Sequence, residues 1–119
     1  MASVMLADDS RFMRMILRKA LSVTKHEIIA EASNGAEAVK QYIEYKPDLV
    51  FMDITMPELN GIDALKQIVQ INPNAKIIMC SAIGQQSAII EALQSGAKDF
   101  VVKPFYNHRI VESVDKVLP

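Results

Sequence analysis

Leu49-Val50-Phe51-Met52-Asp53-Ile54-Thr55-Met56-Pro57 decides how this chain is read. Four apolar residues run without a break into one carboxylate. A continuous apolar run of this length predicts a strand buried on both faces, as in a parallel sheet. Pro57, Asn60 and Gly61 follow as breakers, so the strand ends near Asp53 and a loop begins. Asp53 thus stands where a buried strand emerges. In open α/β sheets, ligands bind at the carboxyl ends of the strands. Taken alone, Asp53 is explained equally well as a turn residue. The rest of the chain decides between the two.

On the N-terminal side, Val4-Met5-Leu6-Ala7 is a similar run, ended by Asp8-Asp9-Ser10. Phe12, Met13, Ile16, Leu17 and Ala20 then form a helical stripe. Ser10 is placed to cap that helix. Ile28-Ile29-Ala30 predicts a second strand, and Asn34-Gly35-Ala36-Glu37 resembles a capping box. Its helix carries Ala38, Val39, Tyr42 and Ile43 and stops before Pro47.

On the C-terminal side, Ile62, Leu65, Ile68 and Val69 mark a third helix, closed by Asn72-Pro73. Lys76 to Cys80 is a fourth strand, and Ala88, Ile89, Ala92 and Leu93 mark a fourth helix. Gly96 sits where a left-handed C-terminal cap belongs. Phe100-Val101-Val102 is a fifth strand, and Ile110, Val111, Val114, Val117 and Leu118 a fifth helix. Strict alternation of strand and helix predicts a doubly wound parallel sheet with helices on both faces. With short right-handed crossovers, 2-1-3-4-5 is the economical strand order. That order puts the switch point between strands one and three, beside Asp8, Asp9 and Asp53.

The 119 residues suit one domain with one core. A net charge of −1 gives no basic surplus for nucleic acid. No apolar run approaches the roughly 20 residues of a membrane span, and the first residues lack the pattern of a signal peptide. Cys80 is the only cysteine, so an internal disulfide and a thiolate metal cluster are both excluded. A reducing, cytoplasmic setting fits.

Polar residues gather at the strand ends: Asp8 and Asp9, Asp53, Ser81 and Lys103. Neighbouring strands of a parallel sheet are about 4.8 Å apart, so these side chains can converge. Two unit charges about 4 Å apart interact by roughly 4 kcal/mol at an effective dielectric near 20. Three carboxylates would then repel by on the order of 12 kcal/mol. A divalent cation relieves this. An all-oxygen site without His or Cys favours Mg²⁺, with Mn²⁺ as the alternative. Lys103 and Ser81, with that cation, suit the oxygens of a phosphoryl group, and Asp53 suits a nucleophile. Singly, each residue has a plainer explanation. Asp8 or Asp9 would cap a helix, Ser81 would fill a turn, and Lys103 would be a solvated lysine. Their joint placement at the ends of four strands makes coincidence a poor explanation.

At this point the chain resembles the response-regulator receiver domains of two-component signalling. Asp8-Asp9, Asp53, Met56-Pro57 with Gly61, Ser81-Ala82 and Lys103-Pro104-Phe105 carry the resemblance. It covers residues 1–119 as a single receiver domain. It implies a flavodoxin-like fold with five helices. The 2-1-3-4-5 order is the family's own, so the resemblance and the expected order are not independent. It further implies Asp53 as phosphoacceptor, with Mg²⁺ on Asp8, Asp9, Asp53 and the main-chain carbonyl of Thr55. Ser81, the main-chain amide of Ala82 and Lys103 would bind the phosphoryl group. Phe100 would be the switch aromatic, where Tyr is frequent, and Pro104 would follow a cis bond.

Arg11-Phe12-Met13-Arg14-Met15, Gly84-Gln85-Gln86 and Gly96-Ala97-Lys98-Asp99-Phe100 extend the likeness toward chemotaxis regulators from outside the enteric bacteria. The implied partners are a chemotaxis histidine kinase, a flagellar or archaellar motor switch or adaptor protein, and a phosphatase. The protein would be a monomer that assists its own phosphorylation and dephosphorylation, not an enzyme in the ordinary sense. It would bind no nucleic acid and insert in no membrane. The alternative is the receiver of a longer regulator with a DNA-binding or other output domain. The chain's end just after the fifth helix favours the stand-alone form. A phosphatase of the haloacid-dehalogenase type would carry its nucleophile after the first strand. A flavin binder would need a phosphate-cradling loop where this chain has two acids.

Overall fold

Strands and helices alternate along the chain as the apolar runs and stripes predict. The computed structural model describes all residues, Met1–Pro119. Its elements are β1 Ser3–Ala7, α1 Arg11–Leu21, β2 Glu27–Ala32, α2 Gly35–Tyr45 and β3 Leu49–Asp53. They continue with α3 Gly61–Ile71, β4 Ile77–Ser81, α4 Gln86–Gln94, β5 Asp99–Val102 and α5 Asn107–Val117. The five strands form one sheet in the order β2-β1-β3-β4-β5. Every pairing in it is parallel. No helix is long and apolar enough to cross a membrane.

Successive residues of a strand face opposite sides of the sheet, and the core divides accordingly. Met5, Ala7, Val50, Met52, Ile77 and Met79 meet Ala38 and Tyr42 of α2, Leu65 and Ile68 of α3, and Ala92 of α4. Val4, Leu6, Leu49, Phe51, Ile78 and Cys80 meet Leu17 and Leu21 of α1 and Ile110 and Val114 of α5. β3 is buried along its whole length, which is why its sequence is continuously apolar and not alternating. Burial of each large side chain here contributes about 1.5–3 kcal/mol. Truncation to alanine would cost about 3–5 kcal/mol at Phe51 and about 2–5 kcal/mol at Ile78 by adding a cavity.

Helix entries follow the cap residues. Ser10 Oγ accepts from the Met13 amide at 3.2 Å. Asn34 Oδ1 accepts from the Glu37 amide at 2.7 Å, but Glu37 reaches the amide of Ser33, not that of Asn34. The capping box is therefore displaced by one residue. Asn60 Oδ1 caps α3 through the Asp63 amide at 2.9 Å. Gly96 ends α4 in the left-handed region at φ +119°, as its position predicts. The Lys103–Pro104 bond is cis.

The helical stripes are narrower than the sequence suggests. Phe12, Ile43 and Leu93 are exposed, and Met13 is only half-buried. In α1 the buried face is centred on Leu17, Ala20 and Leu21. At 3.6 residues per turn, Phe12 lies roughly 140° around the helix from Leu17, so a stripe that includes both is too wide. Met79 and Cys80 are core residues.

Candidate functional site

Asp8 follows β1 and is fully buried, its amide bound to the Ala32 carbonyl at the end of β2. One carboxylate oxygen accepts from the Ser10 amide at 2.8 Å, and the other faces Lys103 Nζ at 3.0 Å. Asp8 thus shapes the entry to α1 while Ser10 supplies the cap. Arg14 donates to the Asp8 carbonyl at 2.6 Å and pairs with Glu31 at 2.9 Å, so α1 braces the main chain under the carboxylate. Asp9 is exposed.

Asp53 ends β3 in register with Cys80 of β4. Its backbone is held from behind. The Gly61 amide donates to the Ile54 carbonyl at 2.8 Å, and a Cβ on Gly61 would lie 1.8 Å from the Asp53 carbonyl oxygen. Only glycine fits there, and Asn60 starts α3 beside it. Carboxylate oxygens of Asp8, Asp9 and Asp53 lie within 4.8 Å of one another. Lys103 Nζ reaches Asp53 Oδ1 at 3.3 Å from the loop after β5.

Burial, then the neighbouring Asp8 charge, push the Asp53 carboxyl up to about 6, against the pull of Lys103. Burial disfavours the Lys103 charge, but its pairing with Asp8 and Asp53 outweighs this and raises its affinity for the proton. One lysine therefore opposes three carboxylates. The donor set is all oxygen and carries excess negative charge, which suits a hard divalent cation that keeps several waters. Cys80 lies under the site, and burial followed by the Asp53 and Asp8 charges pushes its thiol well up, so it is inert packing.

Ser81 ends β4 fully buried, and its Oγ has no hydrogen-bond partner. A buried orphan hydroxyl at the end of β4, the strand next to the one that ends in Asp53, fits a group that meets its partner only when a ligand arrives. The amide of Ala82 donates to Gln85 Oε1 at 2.6 Å, and Gln85 Nε2 donates to Thr55 Oγ1 at 3.1 Å. Phe100 is half-buried on β5 and lines an apolar groove of about 450 Å³ with Ile83, Ile89, Ile90 and Leu93. Arg109 of α5 donates to the Phe100 carbonyl at 2.8 Å. Asp99 accepts from buried Ser113 Oγ at 2.7 Å, which ties α5 to the start of β5.

All the residues singled out in the sequence thus lie on one edge of the sheet or on the adjoining β5 face. Sequence reasoning missed Gln85, Arg14 and the Asp99–Ser113–Arg109 group. Asp99 had a usable signal, a carboxylate at the head of the apolar run Phe100-Val101-Val102. The Gln85–Thr55 and Arg14–Glu31 contacts join residues 30 and 17 apart in sequence and leave no local pattern.

The carboxylate cluster and lysine lie at the switch point of a 2-1-3-4-5 parallel sheet, where such sheets bind ligands. Residues 4–115 match the response regulator receiver domain family, and the chain belongs to it. Receiver domains work as phosphorylation switches. The chain is 58% identical over 114 residues to the chemotaxis protein CheY of Thermotoga maritima, covering 96% of this chain and 95% of that one. It is 56% identical over 115 residues to CheY of Bacillus subtilis, covering 97% and 96%. Among solved structures it is similar to a chain of the CheX–CheY–BeF3–Mg²⁺ complex from Borrelia burgdorferi. That match has a TM-score of 0.93 and 35% identity, over 98% of this chain and 89% of that one.

Proposed function

We propose that the chain is a chemotaxis response regulator, residues 1–119 forming a single receiver domain, whose Asp53 accepts a phosphoryl group from a histidine kinase. One observation carries the reading: three carboxylates and Lys103 converge beside a buried, unpartnered Ser81 hydroxyl. Asp8, Asp9, Asp53 and the Thr55 carbonyl would hold Mg²⁺ or Mn²⁺, which when bound neutralises phosphoryl oxygens. Asp53 is ionised above about pH 6 and presents a carboxylate oxygen to phosphorus; the O–P bond forms as the P–N bond to the kinase histidine breaks, and the imidazole leaves. Lys103 then exchanges a carboxylate partner for a phosphoryl oxygen. Ser81 Oγ, which has no partner at rest, and the Ala82 amide, which at rest donates to Gln85 Oε1, supply its hydrogen bonds.

The switched surface is the face of α4, β5 and α5. Ile83, Ile90, Leu93, Val102 and Tyr106 are exposed there, and Phe100 lies at its edge. Its partner is a flagellar or archaellar motor switch or adaptor protein, and a phosphatase resets it. The relatives named as chemotaxis proteins over nearly their whole length support this assignment. The protein acts as a cytoplasmic monomer and promotes its own phosphorylation and dephosphorylation through these side chains.

The test is incubation with acetyl phosphate and Mg²⁺ followed by intact-mass measurement. One phosphoryl addition is expected, and none in Asp53→Asn. An unchanged adduct in that variant would place the acceptor elsewhere.

A further inference from the structure

The Ala82 amide, assigned above to the phosphoryl group, is engaged in the resting protein. Gln85 Oε1 accepts from it at 2.6 Å, and Gln85 Nε2 donates to Thr55 Oγ1 at 3.1 Å. The orientation of the carboxamide is set by chemistry, because a main-chain N–H only donates. One side chain thus joins the loop after β4 to the loop after β3, across 30 residues of sequence. Gln85 occupies the N-cap position of α4 yet makes no capping bond, so its carboxamide is committed to this bridge. The bridged loop contains Gly84 at φ +92°, where an added Cβ would meet nothing within 4 Å, so no neighbouring group holds the loop on that side. Beside it, the Ser81 hydroxyl has no partner.

We propose that Gln85 is a latch, its carboxamide oxygen holding the Ala82 amide in the resting protein until a phosphoryl oxygen on Asp53 displaces it. The inference rests on Asp53 as phosphoacceptor. An N–H has one hydrogen, so the two oxygens compete for it. A charged phosphoryl oxygen makes a bond roughly twice as strong as a neutral carboxamide does, so the exchange runs toward the phosphorylated state. Release uncouples the two loops, because the other end of the same carboxamide holds Thr55. Gln85 is a positioning residue. It acts through the Ala82 amide and sets how much of the phosphoryl group's binding is spent on opening the loop.

The test follows the Ala82 amide by NMR in the full chain during titration with beryllofluoride, a phosphoryl mimic, in the presence of Mg²⁺. Gln85→Ala should move the resting Ala82 resonance and tighten beryllofluoride roughly two- to tenfold, the loss of one competing neutral hydrogen bond. Thr55→Val should tighten it less, and should add nothing in the Gln85→Ala background. Gln85→Glu puts a charged acceptor at the amide in place of the neutral one and should weaken beryllofluoride. A merely structural Gln85 would give both substitutions the same sign. An unmoved Ala82 resonance in Gln85→Ala, or unchanged or weaker beryllofluoride binding, overturns the latch while leaving Asp53 in its role. Wild-type protein that binds no beryllofluoride and gains no phosphoryl mass overturns the Asp53 reading and the latch together.

Discussion

α3 and α4 begin at neighbouring loops on the same edge of the sheet, one after Asp53 and the other after Ser81. α3 buries Gly61, Ile62, Ala64, Leu65 and Ile68, and Asn60 caps it at 2.9 Å. α4 buries only Ala92 and has no side-chain cap. Ile90 and Leu93 of α4 face outward, with relative exposures of 56% and 40%. Local stability follows buried apolar contact, so α3 is a seat and α4 is an element that shifts at low cost. The difference suits a switch. The acceptor carboxylate must keep its geometry through the chemistry, whereas the loop that reads the phosphoryl group must have a second conformation within reach.

The sharpest way to break the comparison is a pair of alanines. Gly61→Ala puts a Cβ 1.8 Å from the Asp53 carbonyl oxygen, a clash with backbone that no side chain can relieve. It should destabilise by about 3 kcal/mol or more, measured by urea unfolding. Gly84→Ala meets nothing within 4 Å and strains only a φ of +92°. It should cost about 1–2 kcal/mol. Equal costs would mean that the two loops are equally constrained.

Next in size is the charge at the seat. The folded protein raises Asp53 from 3.8 to about 6, first by burial and then through Asp8. A raised acid is destabilising once ionised. The penalty is absent below 3.8, grows between 3.8 and about 6, and is complete above that. Asp53→Asn removes it. Without Mg²⁺ the variant should gain about 1–2 kcal/mol at neutral to alkaline pH, after allowance for partial solvent screening. The gain should fade as pH falls through that window. Thermal melts across the pH range would show it, and a gain that persists in acid would refute the assignment.

The smallest effects separate the two caps. Asn60→Ala should cost about 1 kcal/mol in denaturant unfolding. Gln85→Ala should cost less than about 0.5 kcal/mol, because its carboxamide caps nothing and is partly exposed. The contrast is between a residue that secures a helix and one that restrains a loop.

Much of this was legible in the sequence because it depends on local pattern. Apolar runs ending in Asp8, Asp53 and Ser81 marked the sheet edge, and Ser10, Asn34 and Gly96 marked helix ends. Strand alternation constrained the order enough to bring Lys103 to the acids. Contacts across the fold were not legible. Nothing local in Gly84-Gln85-Gln86 says that one carboxamide spans to Thr55. Phe12 looked like core because spacing alone cannot show which side of a stripe the sheet covers. Met13 failed in the same way, at the edge of the buried arc.

Hydrogen exchange compares the seat with the reader directly. It would be followed by NMR on the full chain, with and without Mg²⁺ and beryllofluoride, in wild type and Asp53→Asn. On loading, the amides from Ala82 to Ile89 should change protection by about tenfold or more, equivalent to roughly 1.4 kcal/mol. Those from Ile62 to Ile68 of α3 should stay as they were, and Asp53→Asn should show neither change. Equal changes in α3 and α4, or a loaded protein whose α4 amides exchange as in the resting one, would contradict the division of the site into a rigid acceptor and a movable reader.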